Sequence, residues 1–461
     1  MLIPVQLMRD QPLQRQLYEQ LRALIETSRL LPGTRMPSTR MMAEQFAISR
    51  ITVLLTYERL IAEGFLETRP AKGTYVSAPP KPQAVPAPIR LAAASEPPAV
   101  TNGVGLPDPA LFPAGRWRAL MRAALDRLGA QVRTPHPAGS PSLRHAITHW
   151  LSSSRGVSVT PEQIMVFNSR QQALHFVAHL LLPRGGRVVV EGPCDQPTSS
   201  VLAGDGVALE RVAVDAQGLC PQRLPEGEVS LIHVTPEHQR QLGVALSHGR
   251  RLALLAWAER AGAVVLEEDG DGELRYGDLH AAPSLMTLDS AERVILLGGF
   301  AASLGPWLHT AYLALPERLV PEALAIRRLL DDGNSVLEDN ALAELLHSGL
   351  YARHLHQLSR IYAGRRDALI HALAQHFGPS QAVWGTQAGL HLAWFPPAEL
   401  GAAAGVAGQA RGCGLESGFV HGTAEHGPAL QLGFGQLPED RLGARVAQLA
   451  ARCAHSAMAA D

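Results

Sequence analysis

Apolar residues near the start of the chain recur at helical spacing. Residues typical of helix caps and turns interrupt this pattern and divide it into short predicted elements. The predicted elements are helices over 12–29, 38–46 and 50–63 and strands over 65–67 and 74–76. The second and third helices are joined by a short turn, and Gly64 ends the third. This order of helix, helix-turn-helix and hairpin predicts a winged helix-turn-helix domain over residues 1–76.

The next stretch, residues 77–103, contains seven prolines and few large apolar side chains. Proline has no amide hydrogen for a sheet and holds the chain extended, so the stretch is typical of a semi-rigid linker. A buried loop is the alternative, and the many prolines disfavour it.

From residue 105 onward, short apolar runs with strand character alternate with helical patterns. The runs fall at 163–167, 187–191, 229–235, 263–268 and 294–298. Such alternation is typical of an α/β fold with a largely parallel, buried sheet, which we expect over residues 104–325. Two later runs, 390–394 and 430–434, predict a smaller α+β domain over residues 326–461.

The net charge changes the picture only locally. The 461 residues carry a formal net charge of -1, so no overall field attracts the chain to nucleic acid. Residues 1–76 contain ten Lys and Arg against seven Asp and Glu, a net charge of +3. This sign suits a module that binds DNA through local contacts.

The chain start, MLIPVQLMRDQPLQ, lacks the pattern of a signal peptide, and no apolar run has the length that a bilayer requires. The four cysteines are dispersed without CxxC spacing, which favours reduced thiols over a disulfide framework. We therefore expect a cytoplasmic protein without a membrane partner.

The stretch GTRMPSTRMMAEQFAISRITVLLTYERLIAEGFLETRPAKGTYV resembles the DNA-binding domain of GntR-family regulators almost throughout. The resemblance implies that the third helix enters a major groove and that the hairpin forms the wing. A helical cap whose arginines are merely solvated is the alternative. The residues that the resemblance marks as contacts to a double-stranded DNA operator are Arg35, Ser38, Arg40, Ser49, Arg50, Thr52, Lys72 and Gly73.

Residues 82–461 contain no lysine, because the only two in the chain are Lys72 and Lys81. A lysine amine can lose its proton and attack an aldehyde to form an imine, whereas an arginine guanidinium stays charged. The bias toward arginine over the whole chain explains why lysine is scarce, but not why it is completely absent. Chemistry through an internal lysine imine is therefore not expected after residue 81.

The same region resembles the MocR subgroup of the GntR family, which couples the winged helix to a fold-type I aminotransferase domain. The segments that carry the resemblance include PAGSPSLRHAI, QQALHFVAHLLLPRGGRVVVEGP, VTPEHQRQLGVALSHGRRLALLAWA and GFAASLGPWLHTAYLALP. The resemblance implies a homodimer and a site for pyridoxal phosphate, an aldehyde cofactor held through a lysine imine, its pyridine nitrogen and its phosphate.

The residues at that implied site depart from the family pattern. Ala302 stands where the resemblance implies the lysine, Ala301 where it implies a hydroxyl near the phosphate, and His309 where it implies the phosphate arginine. Glu268 replaces the aspartate that contacts the pyridine nitrogen, and Gly270 replaces a tyrosine beside the ring oxygen. Each change removes or alters a group with its own role.

Three further segments depart in the same direction. In Asn168-Ser169-Arg170, a glycine that lets the backbone approach the phosphate is lost. Asp195 stands where an aromatic residue is implied, and Gln431 stands where an arginine would grip a substrate carboxylate. We therefore expect no covalent pyridoxal phosphate and no non-covalent binding of it, hence no cofactor and no catalytic residue.

Two interpretations of the altered pocket stay open at this point. It is either a retuned effector site or a collapsed pocket that leaves only dimerisation. The residues expected to converge there are Asn168, Ser169, Arg170, Asp195, His238, Gln239, Glu268, Gly270, Ala301, Ala302, His309 and Gln431. Pairs of histidines spaced four apart, such as His145 and His149, lack a third ligand, so no metal is expected.

The sequence thus predicts a homodimeric, DNA-binding transcriptional regulator that is not an enzyme. Its aminotransferase-like region is expected to serve dimerisation and the sensing of a small-molecule effector. The alternatives are a regulator responsive to pyridoxal phosphate, or an aminotransferase that binds the cofactor non-covalently.

Overall fold

A computed structural model describes residues 3–8, 12–70, 72–77, 104–128, 136–182, 186–204, 206–277, 282–305, 307–331, 333–423 and 426–458. The predicted linker lies outside these residues except for Ser77. The chain divides into two compact units, residues 1–99 and 100–461. Whether a domain boundary falls near residue 325 stays a prediction.

The first unit is a winged helix-turn-helix, as the sequence predicts. Its elements are α1 (Leu13–Glu26), α2 (Thr39–Phe46), α3 (Arg50–Ala62), β1 (Leu66–Arg69) and β2 (Gly73–Val76). Leu17 and Leu21 of α1 are fully buried and pack in one apolar cluster with residues of α3 and the hairpin. The short strands pair antiparallel, from Leu66 opposite Val76 to Arg69 opposite Gly73.

The second unit contains an eight-stranded sheet. Its strands are β3 (Ile164–Phe167), β4 (Arg187–Gly192), β5 (Ala208–Asp215), β6 (Gly218–Leu219), β7 (Leu231–Val234), β8 (Val264–Asp269), β9 (Val294–Gly299) and β10 (Ala311–Ala314). Their spatial order is β3-β10-β9-β8-β7-β4-β5-β6. The strands β5, β4, β7, β8 and β9 run parallel, whereas β10 is antiparallel to both neighbours. This confirms an α/β fold with a largely parallel sheet.

The large sheet is buried on both faces. Val188 and Val190 of β4 belong to one apolar cluster, and Val189 between them belongs to another. Successive strand residues point to opposite faces, so each cluster covers one face. This explains why the strands are almost continuously apolar in the sequence.

The helices of the second unit follow the alternating pattern. They are α4 (Ala114–Arg127), α5 (Pro141–Arg155), α6 (Arg170–Leu181), α7 (Gln196–Leu202), α8 (His248–Ala261), α9 (Leu285–Leu288), α10 (Ala301–Leu304), α11 (Val320–Leu330), α12 (Val336–His347), α13 (Leu350–Phe377), α14 (Ala403–Gly412) and α15 (Glu439–Met458). In the described part of the chain, none of these helices combines the length and apolar character needed to cross a bilayer.

A second, antiparallel sheet lies near the end of the chain. Its strands are β11 (Ala382–Trp384), β12 (His391–Phe395), β13 (Ser417–Thr423) and β14 (Gly427–Gly433), in the order β11-β12-β14-β13. The runs predicted at 390–394 and 430–434 correspond to β12 and β14. The edge strand β11 has only three residues and the edge strand β13 is of mixed polarity, and neither was predicted from the sequence.

Gly139 connects the start of α5 to the large sheet through a backbone conformation that favours glycine. Its φ is +94°, its N–H donates to the carbonyl of His136, and an added Cβ would lie 2.6 Å from Cβ of Val166. Both the left-handed backbone and the close approach therefore require the absence of a side chain.

We expect Gly139→Ala to lower the free energy of unfolding by about 2–4 kcal/mol, because it combines overpacking against Val166 with backbone strain. Gly156→Ala is the matched control: φ is +66° there too, but nothing lies within 4 Å of the added Cβ. Its cost should be near 1 kcal/mol. Equal losses in urea unfolding of the two variants would contradict the packing argument.

Candidate functional site

The predicted DNA contacts lie around one end of the helix-turn-helix. Arg35, Arg40, Arg50 and Lys72 are exposed, and Thr52 is half-buried. Arg50 Nε donates to Thr39 Oγ1 at 3.3 Å, and Arg40 pairs with Glu44 at 3.1 Å in full solvent contact. Exposed pairs of this kind contribute little stability, so Arg40 can exchange Glu44 for a phosphate at low cost.

Two of the predicted contacts are helix caps. The hydroxyl of Ser38 accepts from the N–H of Met41, and that of Ser49 accepts from the N–H of Ile51. Each satisfies a backbone donor at the start of its helix. Their structural role is therefore to fix where α2 and α3 begin.

The wing lies directly beside Arg35. Gly73 has a φ of +107°, and an added Cβ would lie 3.5 Å from Nε of Arg35. Arg35 also forms an isolated backbone bridge with Tyr75 of β2. The structure thus brings Arg35 and Gly73, two residues distant in the sequence, to one place.

The altered cofactor positions of the second unit lie at the carboxyl ends of the sheet strands. Arg170 opens α6 after β3, Asp195 caps α7 after β4, and Glu268 is the penultimate residue of β8. This edge of an open α/β sheet is where ligands bind. Of the twelve predicted residues, these three make direct contacts with one another.

Arg170 and Glu268 form a bidentate ion pair. The distances are 2.5 Å from Nε to Oε1 and 2.7 Å from Nη2 to Oε2, and Nη2 also donates to Thr198 Oγ1 at 2.6 Å. The side chain of Glu268 is only 2% exposed. A planar guanidinium thus meets both oxygens of a buried carboxylate.

Two further cationic or polar groups complete the surroundings of Glu268. His233 Nε2 lies 2.8 Å from Oε2, and Arg240 Nη1 lies 3.3 Å from Oε1. The sequence analysis missed both residues. His233 had a readable signal, since a histidine inside the apolar strand Leu231–Val234 requires a polar partner when buried.

The charges around Glu268 decide its protonation. Burial by itself raises the pKa of its carboxyl, but the charge of Arg170 and the hydrogen bond with His233 outweigh burial and hold that pKa well below its usual value. Glu268 is therefore ionised at neutral pH. Its charge is already neutralised from within the chain.

Gly270 makes room for Arg240. An added Cβ at residue 270 would lie 3.3 Å from Nη1 of Arg240 and 3.5 Å from Oε1 of Glu268. Gln431 holds the backbone of the same arginine, because its Nε2 donates to the Arg240 carbonyl at 2.9 Å. Two positions where the resemblance implied cofactor or substrate groups thus support Arg240 instead.

Ala301 and Ala302 lie on the short helix α10, directly after β9 and at the same edge of the sheet. The neighbouring Ser303 fixes this helix: its hydroxyl lies 2.8 Å from that of Tyr351, and its carbonyl lies 2.8 Å from Nε2 of His354. His354 is itself buried. The two methyl side chains offer no nucleophile.

The segment expected to cradle a phosphate satisfies its own polar groups. Ser169 caps α6 by accepting from the N–H of Gln172, and Gln172 accepts from the N–H of Asn168 and donates to Asp331 at 2.5 Å. His309 is exposed, and no hydrogen bond between the described residues joins it to Arg170 or Glu268.

His238 and Gln239 do not contact Glu268. His238 Nδ1 lies 3.1 Å from Oδ1 of Asp271, with His391 beside it, and Gln239 Nε2 donates to the carbonyl of Pro193 at 2.9 Å. Both hydrogen bonds hold local structure, and the convergence of these two residues with Glu268 in one pocket stays a prediction.

The acidic run 267–271 is internal rather than solvated. Glu267 accepts from the hydroxyl of Ser284 and from two amides at the start of α9, and Asp269 pairs with the buried Arg155 at 2.9 Å. Glu273, nearby, accepts from Trp150 and Tyr351, and burial together with Asp269 raises its pKa to about 7.

These residues do not fit pyridoxal phosphate. The carboxylate that would meet the pyridine nitrogen already binds Arg170 through both oxygens, and the lysine position is Ala302. A ring nitrogen would have to displace a buried, bidentate guanidinium, which costs several kcal/mol.

We expect Arg170→Met to lower the free energy of unfolding by about 3–5 kcal/mol at neutral pH, because it leaves the buried Glu268 with weaker partners. Arg187→Met is the matched control, since Arg187 pairs with Glu210 at 2.7 Å but both side chains are about one-third or more exposed. Its cost should stay below about 1 kcal/mol.

The pH dependence gives a second readout for the same pair. Because the folded pKa of Glu268 is held low, its stabilising effect is present above the ordinary carboxyl pKa and is lost as pH falls toward the folded value. In Arg170→Met the folded pKa rises, so the gap to wild type should narrow in acid. A gap that is constant between neutral and acidic pH in denaturant titrations would refute the assignment.

Two family models match the chain. The model for bacterial regulatory proteins of the gntR family matches residues 13–76, and that for aminotransferase class I and II matches residues 114–404. The probable rhizopine catabolism regulatory protein MocR of Rhizobium meliloti is 33% identical over 83% of this chain and 81% of its own length. The pyridoxine biosynthesis regulator PdxR of Corynebacterium glutamicum is 33% identical over 76% of this chain and 77% of its own.

Solved structures agree on the fold of the second unit. An archaeal alanine:glyoxylate aminotransferase superposes with a TM-score of 0.69 at 23% identity, covering 76% of this chain and 89% of that one. A kynurenine aminotransferase from Pyrococcus horikoshii gives a TM-score of 0.68 at 23% identity, covering 76% and 90%. The chain belongs to the MocR subgroup of GntR-family transcriptional regulators, with an aminotransferase class I and II domain behind its DNA-binding winged helix.

Proposed function

We propose that this transcriptional regulator acts without a covalent pyridoxal phosphate imine, and that its aminotransferase-like domain serves dimerisation and the sensing of a small polar effector. The observation that carries the proposal is the buried ion pair of Arg170 with Glu268, in a chain whose residue at the implied lysine position is Ala302. The domain keeps the fold of an aminotransferase and lacks the groups of its chemistry.

Transamination by pyridoxal phosphate requires three groups of the protein. An imine requires an amine that can lose its proton, and residues 82–461 contain no lysine. A pyridine nitrogen requires an unpaired acid, and Glu268 is already paired twice with Arg170. A substrate carboxylate requires a cation at residue 431, where a glutamine stands. The loss of all three supports a regulator that is not an enzyme.

Charged side chains beside Glu268 remain accessible to solvent. Arg240 is 40% exposed and Asp195 is 17% exposed, so groups of both charge signs reach solvent beside the buried Glu268. Arg240 uses one of its five N–H groups on Glu268, and a small anionic or zwitterionic molecule can engage the others. These groups support an effector site over a pocket filled by apolar side chains.

Membership of the family supports homodimerisation, which would place two recognition helices on paired half-sites. An effector that binds one arrangement of the dimer more tightly shifts the population toward it. Such a shift would change how well the two helices match the operator.

Wild-type protein mixed with excess pyridoxal phosphate and then gel-filtered should retain no stoichiometric cofactor absorbance. After borohydride reduction, peptide mass mapping should find pyridoxyl groups only on Lys72, Lys81 or the terminal amine, since these are the only amines. The double variant Ala302→Lys, Arg170→Gly restores the amine and frees Glu268. It serves as the positive control, and it should retain more cofactor than the wild type. Stoichiometric cofactor retained by the wild type would contradict the proposal.

An effector found by thermal shift across a panel of small metabolites should raise the melting temperature of the wild type, because it binds only the folded state. The shift should disappear in Arg240→Gln and persist in Arg187→Gln, an arginine of similar exposure on β4. The same molecule should also change the affinity of the protein for its operator. Light scattering measures the molecular mass and so tests whether the protein is a dimer. A stabilising ligand that leaves operator affinity unchanged would remove sensing from the proposal.

A further inference from the structure

The recognition helix α3 exposes three large aliphatic side chains. Ile51 is 67% exposed, Leu54 45% and Leu55 43%. They lie three and four residues apart, so they share one face of the helix. We call these three residues the aliphatic stripe.

The stripe is not a misplaced part of the core. The opposite side of α3 carries the buried residues Val53, Thr56, Tyr57 and Leu60. Single exposed leucines are ordinary, but contiguous exposed aliphatic groups at a helix start mark a surface that binds something. None of the described residues of the first unit covers the stripe enough to bury it.

The charges around the stripe select the partner. Arg50 precedes Ile51 directly, and Arg35, Arg40 and Lys72 are also exposed in the same small unit. Glu44 and Glu58 are exposed as well, but residues 1–76 carry a net charge of +3, so a polyanion with apolar groups between its charges fits this surface better than a second copy of it. Duplex DNA has this character, because the thymine 5-methyl group lies in the major groove between two phosphate backbones.

We propose that Ile51, Leu54 and Leu55 recognise thymine 5-methyl groups in the operator. The inference rests on DNA binding by the winged helix and adds the chemistry of base recognition. Residues at the start of the second helix of a helix-turn-helix reach base edges, and Ile51 is the second residue of α3. The arginines then supply phosphate contacts, which position the helix without reading sequence.

Polar residues nearby leave base reading to the stripe. The Ser49 hydroxyl accepts from the N–H of Ile51, and Arg50 Nε donates to Thr39. Both hydrogen bonds hold the start of α3, while the other N–H groups of the exposed Arg50 can reach phosphates. Specificity in each half-site should then depend on methyl groups and on shape rather than on bidentate hydrogen bonds alone.

The test uses the full-length protein. Selection from a random duplex library gives a bound operator, and each thymine is then replaced singly by deoxyuridine, which removes only the 5-methyl group. At one or two positions in each half-site we expect binding to weaken about fourfold per methyl group, the effect of one buried methylene-sized group. Each of these T·A pairs is also replaced by a C·G pair and by a 5-methylcytosine·G pair. The 5-methylcytosine pair keeps the methyl group in the major groove, so it should weaken binding less than the cytosine pair does.

Variants link the effect to the stripe. In Ile51→Ala and Leu55→Ala the penalty for deoxyuridine should shrink toward onefold, whereas Leu31→Ala, which trims an equally exposed leucine outside α3, should keep it. Exposed positions tolerate alanine, and circular dichroism checks the fold. A wild type indifferent to every deoxyuridine, or a penalty unchanged in both variants, overturns the proposal.

The experiment separates DNA binding by the winged helix from recognition of methyl groups by the aliphatic stripe. If no duplex is selected at all, DNA binding and the stripe's role fall together. If a duplex is bound with full affinity whether or not its thymines carry methyl groups, only the stripe's role falls. If Ile51→Ala alters the mass of the assembly and not the methyl penalty, the stripe is a protein interface and the proposal is wrong.

Discussion

The ion pair between Arg170 and Glu268 determines what the large unit can do. A carboxylate at this depth must be neutralised by a cation, because its desolvation is too costly otherwise. In an aminotransferase-like fold that cation could come from a bound ring, but here α6 supplies it at 2.5 Å. The sheet edge keeps its geometry, and its chemistry is changed by a group that belongs to the chain.

The substitutions around this pair are coupled. Gly270 has the space into which Arg240 extends, and Gln431 holds the Arg240 backbone in place. Gly270 and Gln431 therefore do more than remove groups that the family resemblance implies, since each also supports the position of Arg240.

The winged helix and the sheet core could be predicted from the sequence because both depend on local spacing and continuous apolar runs. The strands β5, β6 and β10 of the large sheet and the edge strands β11 and β13 of the second sheet were missed, since short or mixed-polarity strands carry a weak pattern. Arg170 lies within ion-pair distance of both Asp195 and Glu268 in the structure, but this pairing, and the part played by Arg240, depend on side-chain directions that no spacing encodes. The partners that bury the acidic residues of 267–271 are distant in sequence, so no local pattern indicates that burial.

That run has a consequence for how β8 is held. Glu267 caps α9, Glu268 meets Arg170, and Asp269 meets Arg155, so three successive carboxylates have three separate partners. Successive residues of a strand point to opposite faces, and a slip by one residue would exchange all the faces at once. Every carboxylate would then lie against the wrong group. The register of the central strand β8 is therefore fixed by three charged or hydrogen-bonded contacts as well as by apolar packing.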